Sequence, residues 1–295
     1  MTERKDTGER RIMVSVIMGV YNQADHEILS EAIHSILRQT LSDLEFLIYD
    51  DGSNDGTSDF LRELSEEDER IVLLGDTQNH GLGFSLNACI RNARGKYIAR
   101  IDDDDISDPD RLEKQCSFLE EHPEISWCGC SARLIDKNGV WGVRHMPAFP
   151  EKEDYLKYSP YIHPTVMYRR EVFKDGNGYQ EIEDMLRCED YEIFMRLMIS
   201  GLTGANIQEV LFSYREDENS YRRRSFHNRV NEAKLRYRNF AKMNLLFPNG
   251  WLYVLRPIVG GLIPVSVLKH IKRSQAEQYK EDIGVQNKHA SRRKN

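Results

Sequence analysis

Residues 12–20 read IMVSVIMGV, a short run, apolar but for Ser15 and rich in β-branched side chains. A strand with no polar face needs cover on both sides, which is the situation of a parallel sheet between two helical layers. The chain then alternates. Ile28, Leu29, Ala32, Ile33, Ile36 and Leu37 recur at helical spacing, EFLIYD (45–50) reads as a second strand, and 57–66 as a helix with Thr57 near its start. IVLLGD (71–76) makes a third strand, 81–93 a helix, and KYIARID (96–102) a fourth strand followed by a helix opened by Pro109 and running to about Glu121. Such alternation predicts a doubly wound sheet.

From Ile125 the pattern changes to ISWCGCSARLID, a Lys137-Asn138-Gly139 turn and VWGVRHM, which predicts an antiparallel hairpin added to that sheet. The expectation is a mixed, mostly parallel sheet flanked by helices. A helix from about Cys188 to Ser200, a strand from about Ala205 to Tyr214 and a basic helical stretch over 221–246 follow. No internal repeat or low-complexity block interrupts the 295 residues, a length that suits one α/β domain with an appendage.

Charge divides the chain. Residues 216–295 carry 17 Lys and Arg against 7 Asp and Glu, a balance of +10, so the remainder of a molecule at −7 stands at −17. An acidic body suits a metal site and argues against nucleic acid, whereas a basic tail beside apolar sequence suits an anionic membrane surface, or simply a solvated helical tail. The five cysteines have no metal-ligand spacing, and Cys128 and Cys130 stand in strand-like sequence, so all are expected to be reduced core residues. Residues 1–11 are polar and read as a flexible start with no signal peptide, which points to a cytoplasmic protein.

In open α/β sheets ligands bind beyond the carboxyl ends of the strands. There this chain places Tyr21 and Asn22 after strand one, Asp50 and Asp51 at the end of strand two, and Asp102 to Asp105 at the end of strand four. Each has a plain structural reading as well: DGSNDG is good turn chemistry, and Asp105 or Ser107 could cap the helix near Pro109. Four successive carboxylates repel one another and raise each other's pKa, however, and a hard divalent cation reverses that cost. Mg2+ or Mn2+ shared between one or two carboxylates and the phosphates of a ligand is the arrangement expected.

Taken together, VSVIMGVYN, SILRQT, EFLIYDDGSNDGT, NHGLGFSLNACIRNARGKYIARIDDDD, HPTVMYRREVF and CEDYEIFMRL, in this order from about Val14 to Tyr214, resemble the family-2 glycosyltransferases of the GT-A fold. The resemblance implies a GT-A catalytic domain over 12–215 and a basic helical C-terminal region over 216–295. It implies an inverting, metal-dependent hexosyltransferase that moves one sugar from a nucleotide-diphosphate sugar, UDP-sugar favoured, to a glycan or lipid-linked acceptor hydroxyl. Position by position, Tyr21 and Asn22 would lie at the nucleotide and Asp51 would accept a hydrogen bond from the base. Asp102 would contact the ribose, and Asp104 would ligate Mn2+ or Mg2+ on the diphosphate.

The resemblance also implies Asp190 as the base that deprotonates the acceptor, with Glu189 next in line. Pattern supports an inward-pointing acid there, because Asp190, Ile193, Phe194 and Leu197 lie at i, i+3, i+4 and i+7; the alternative is an acid complementing the helix dipole. His163 matches a position near the acceptor, though a lone histidine is more often structural. Gly81 and Gly83 either let the backbone approach the nucleotide or punctuate a loop. Two departures stand out. Many relatives carry Arg-Asn where this chain has Leu86-Asn87, which leaves a phosphate contact missing or supplied by another residue such as Arg100. The Gln-x-x-Arg-Trp element of processive synthases is absent too, which favours a single transfer.

The most apolar stretch, WLYVLRPIVGGLIPVSVLKHIKR (251–273), is broken by Arg256, Pro257 and Pro264 and reads as an interfacial segment on the inner face of a membrane, or as helices packed on the domain. Two rival functions remain at this stage: a non-catalytic sugar-nucleotide-binding module, and a nucleotidyltransferase on a similar sheet. The second lacks its Gly-rich basic loop, since Val20-Tyr21-Asn22-Gln23 stands there.

Overall fold

In the computed structural model, which describes residues 12–181, 188–216 and 226–260, the opening run becomes strand β1 (Val14–Val20), every residue of it buried or nearly so. Its neighbours are β2 (Leu44–Asp51) on one side and β4 (Tyr97–Arg100) on the other, both parallel to it, with β3 (Ile71–Asp76) beyond β2. The full order is β3-β2-β1-β4-β8-β6-β9-β5, in which β5 is Ile106–Ser107, β6 Trp127–Asp136, β8 Met167–Arg169 and β9 Gly204–Arg215. Strand β7 (Gly139–Arg144) forms the expected hairpin with β6. The mixed, mostly parallel sheet expected from sequence is therefore present.

Strand alternation divides the core between the two faces. Val14, Val16, Met18 and Val20 pack with Leu29, Ala32, Ile33 and Ile36 of α1 (His26–Leu37), Leu61 and Leu64 of α2 (Thr57–Glu67), and Leu112, Cys116 and Leu119 of α4 (Arg111–Glu121). Ile17 and Leu47 face the other way, onto Leu86 and Cys89 of α3 (Leu82–Asn92) and onto α5 (Glu189–Ile199). Ile193, Phe194 and Leu197 of α5 are wholly buried, each burial worth roughly 2 kcal/mol, and this is what orients α5 toward the sheet. All five cysteines are buried thiols, as expected.

Helix α4 starts at Arg111 rather than at Pro109, and neither Asp105 nor Ser107 caps it. Both side chains are engaged in tertiary contacts instead. Asp105 accepts the Arg215 backbone N–H at 2.7 Å, and the Ser107 hydroxyl accepts from Arg111 Nε at 2.7 Å and Gln39 Nε2 at 3.1 Å. The strand pairing of β5 with the end of β9 carries these residues past the helix start.

The basic stretch forms α6 (Phe226–Lys242), which packs antiparallel to α7 (Trp251–Gly260) and rests on α5. No helix among the described residues is long and apolar enough to cross a membrane. Of the apolar stretch over 251–273, the part beyond 260 lies outside the described residues, as does the start of the basic stretch at 221–225.

Candidate active site

Because β2, β1 and β4 are adjacent and parallel, the three polar strand ends singled out in the sequence come side by side. After β1, Tyr21 presents its ring to solvent at 48% exposure. Asn22 takes a left-handed conformation, φ 50°, that asparagine tolerates through its short polar side chain. Its backbone N–H donates to Ser53 Oγ and its side-chain oxygen accepts from the Asn54 backbone N–H, both at 2.9 Å, so Asn22 ties the end of β1 to the loop after β2.

Asp50 organises that loop, accepting from the Ser53 N–H at 3.1 Å and from the Ser58 hydroxyl. Asp51 is buried and reaches the other way, its two oxygens accepting the backbone N–H groups of His80 at 2.9 Å and Gly81 at 2.8 Å. The carboxylate thus latches the start of α3, where Gly81 sits at φ +91°. That conformation is one that side chains rarely adopt. Gly83, two residues on, faces the Gln180 carbonyl and the side chains of Tyr179 and Glu189.

Beyond β4 the acid segment is held from both edges. Arg215, the last residue of β9, donates its backbone N–H to Asp105 and its Nε to the Asp104 carbonyl at 2.7 Å. From beneath, the Arg100 guanidinium, 1% exposed, makes a two-pronged pair with Asp102. Arg111, also buried, donates to the carbonyls of Arg100 at 3.2 Å and Pro164 at 3.3 Å. Arg100 is therefore not a surface group able to replace the phosphate contact left open at Leu86; it is spent on Asp102.

Carboxylate oxygens of Asp102, Asp104 and Asp105 lie within 4.8 Å of one another. Burial, reinforced by the Asp104 and Asp102 charges, pushes the Asp103 carboxyl up to about 8 and drives Asp105 well above the ordinary range. The second Asp105 oxygen is buried with no hydrogen-bond partner. An all-oxygen donor set holding an unsatisfied buried oxygen fits a hard divalent cation. Asp105, which the sequence offers both as the fourth acid of the run and as a possible helix cap, forms no cap and joins Asp102 and Asp104 in this group.

A second pair of acids lies at the start of α5. Asp190 and Glu189 sit half-buried in the first turn of α5. The Tyr179 hydroxyl, whose pKa burial raises to about 12, feels the charges of both Asp190 and Asp102. It hydrogen-bonds His163 Nε2 at 2.7 Å, and burial together with Arg100 holds the His163 pKa well below its usual value, so the ring is neutral at neutral pH. Asn87 fixes Tyr179 in turn, accepting its N–H and donating to its carbonyl, both at 2.8 Å. Tyr179 carried no sequence signal, because its place depends on Asn87, 92 residues earlier.

Residues 15–176 match the family model described as glycosyl transferase family 2. EpsE from Bacillus subtilis (strain 168), a glycosyltransferase by name, is 35% identical over 271 residues, 92% of this chain and 96% of that protein. Among solved structures, TarS 1–349 of S. aureus in complex with UDP superposes with a TM-score of 0.57 at 19% identity, over 78% of this chain and 72% of that one. The mannosyltransferase PcManGT from Pyrobaculum calidifontis, in complex with GDP-Man and Mn2+, gives 0.59 at 18% identity over 92% and 83%. Likeness at that level of identity concerns the fold, which is the GT-A fold.

Proposed function

The chain belongs to glycosyl transferase family 2, and from that premise we propose that it transfers a single sugar, with inversion, from a UDP-sugar to a hydroxyl of a lipid-linked or surface-polysaccharide acceptor. The observation that carries this reading is the trio of Asp102, Asp104 and Asp105 oxygens gathered within 4.8 Å beyond β4, next to the ends of β1 and β2. Tyr21 supplies an exposed ring beside the nucleotide. Asp51 has lone pairs beyond the two that its backbone partners use, and with them it accepts from the uracil N–H. Asn22 acts by shaping the loop that this nucleotide meets.

Asp104, with Asp105 and Asp102, would hold Mn2+ or Mg2+. That cation supplies stabilisation of the negative charge that a departing nucleoside diphosphate gains. Asp102 is the trio's ribose-side member, kept in place by Arg100. On the opposite wall Asp190 accepts the proton of the acceptor hydroxyl as its oxygen attacks the anomeric carbon, and a single displacement of this kind inverts that carbon. Glu189, packed beside Gly83, is the neighbour whose substitution serves as the control.

A thermal-shift panel of UDP-, GDP- and dTDP-sugars, with and without Mn2+, tests the reading, followed by an assay for nucleoside diphosphate release. The expected result is stabilisation by a UDP-sugar that requires Mn2+. Absence of stabilisation by every nucleotide sugar in the presence of Mn2+ overturns it.

A further inference from the structure

Helix α6 shows solvent the side chains of Lys234, Arg238 and Lys242, spaced i, i+4, i+8 along one face. Glu232 is the single acid in the sequence 226–260, and it is buried against Arg236 at 2.9 Å, so no acid interrupts that basic row. Helix α7, packed alongside, exposes Trp251 (50%), Leu252 (50%), Leu255 (46%) and Val259 (55%), and the turn before it exposes Phe247 (85%). Arg229 of α6 closes the hairpin by donating to the Pro257 carbonyl at 3.2 Å. Single exposed apolar side chains are ordinary, but this row runs along one helix from Trp251 to Val259.

The inner side of the same hairpin braces the active site. The Arg236 guanidinium lies 4.7 Å from the Tyr191 ring centroid and donates to the Leu156 carbonyl at 2.9 Å. Tyr191 follows Asp190 on α5, and its hydroxyl donates to the Tyr155 carbonyl. Any surface that the hairpin rests on is thus one layer of packing away from the helix that carries the acid pair.

We propose that the α6–α7 hairpin lies on an anionic lipid surface, with the α7 row in the headgroup boundary and the α6 row against the headgroups, and that it presents the active site to an acceptor held in that membrane. The acceptor half of this statement rests on the transferase reading; the lipid half does not. Charge complementarity selects the occupant. A basic row without acids attracts an anionic bilayer, while Trp and Leu beside it gain from shallow burial. A second copy of this chain would bring like charges together across the interface instead. Arg256 and Pro257 interrupt the apolar sequence within the described part of α7, which suits it to lying flat at an interface. The sequence just beyond it, with Leu262, Ile263, Val265, Leu268 and Ile271 followed by Lys272 and Arg273, has the same mixed character.

Flotation of the full chain with vesicles tests this. Vesicles of phosphatidylcholine carrying phosphatidylglycerol should bind the protein at low salt, pure phosphatidylcholine should not, and raising salt should release it. Trp251→Glu with Leu255→Glu, and separately Lys234→Glu with Arg238→Glu and Lys242→Glu, should each lower the bound fraction at least about tenfold, a change worth about 1.4 kcal/mol. UDP affinity in the presence of Mn2+ should stay unchanged in both variants. Equal flotation of the variants and the unaltered chain overturns the hairpin assignment, since the contact would then lie in other residues. So does a shift from dimer to monomer in the variants without vesicle binding by the parent, because the row would then be a contact between copies. Loss of UDP binding by the unaltered chain would sink the transferase reading and leave the vesicle result standing.

Discussion

The Arg100 guanidinium, buried under the sheet's carboxyl edge, grips both oxygens of Asp102, the first acid of the cluster that follows β4. A lone carboxylate beside Asp103, Asp104 and Asp105 would be expelled toward solvent by its neighbours. Arg100 is held charged above its usual range even though burial opposes it, because Asp102 and then Tyr179 and Asp105 favour the cation. The pair fixes the direction of Asp102 before any ligand arrives. Removing one partner of a buried pair costs about 3–5 kcal/mol, and the partial exposure of Asp102, 29%, puts this pair at the low end.

Arg100→Met should therefore lower stability by about 3 kcal/mol, visible as a drop in the urea midpoint. In a double-mutant cycle with Asp102→Asn the losses should be less than additive by at least about 1 kcal/mol. Additive losses would mean that the pair contributes nothing.

Asp104→Asn should weaken UDP binding in Mn2+ at least about tenfold, about 1.4 kcal/mol, while UDP binding in EDTA stays as it was. Isothermal calorimetry with and without the metal reads this directly. Unchanged Mn2+ dependence would remove Asp104 from the metal site.

Asp190→Asn should leave UDP affinity intact and cut turnover by roughly 10²-fold or more, the scale expected for loss of a general base. Glu189→Gln, measured beside it, should retain most activity. A reversed ranking would move the base to Glu189.

His163 gives a pH-dependent stability of predictable sign. Its folded pKa lies well below the unfolded value of about 6.5, so the unfolded chain binds the extra proton. Stability is fully present above pH 6.5 and falls as pH drops below it, by up to about 1.4 kcal/mol per pH unit until the folded pKa is reached. His163→Gln should flatten the curve of urea midpoints between pH 7 and pH 5 relative to the unaltered chain. Parallel curves would show that the fold does not lower the pKa of the ring.

Much of the molecule was decided locally, and so could be read from the chain. The doubly covered strand at 14–20 and the helical spacing of 28–37 needed only the periods of strand and helix, and those periods placed Tyr21, Asp51 and Asp102 at three strand ends. The face of α5 with Ile193, Phe194 and Leu197 was equally legible, because burial follows the period of the helix. Tertiary structure alone decided what those residues touch. Asp105 leaves the helix cap for the Arg215 N–H, 110 residues away, since β5 pairs with β9; Arg100 turns under the sheet to Asp102 instead of outward to phosphate. Tyr179 is held by Asn87, through hydrogen bonds to its backbone. Local pattern records which face of an element is apolar, whereas the partner of a polar group depends on strand order and register, which bring distant residues together and leave no trace in the spacing of either one.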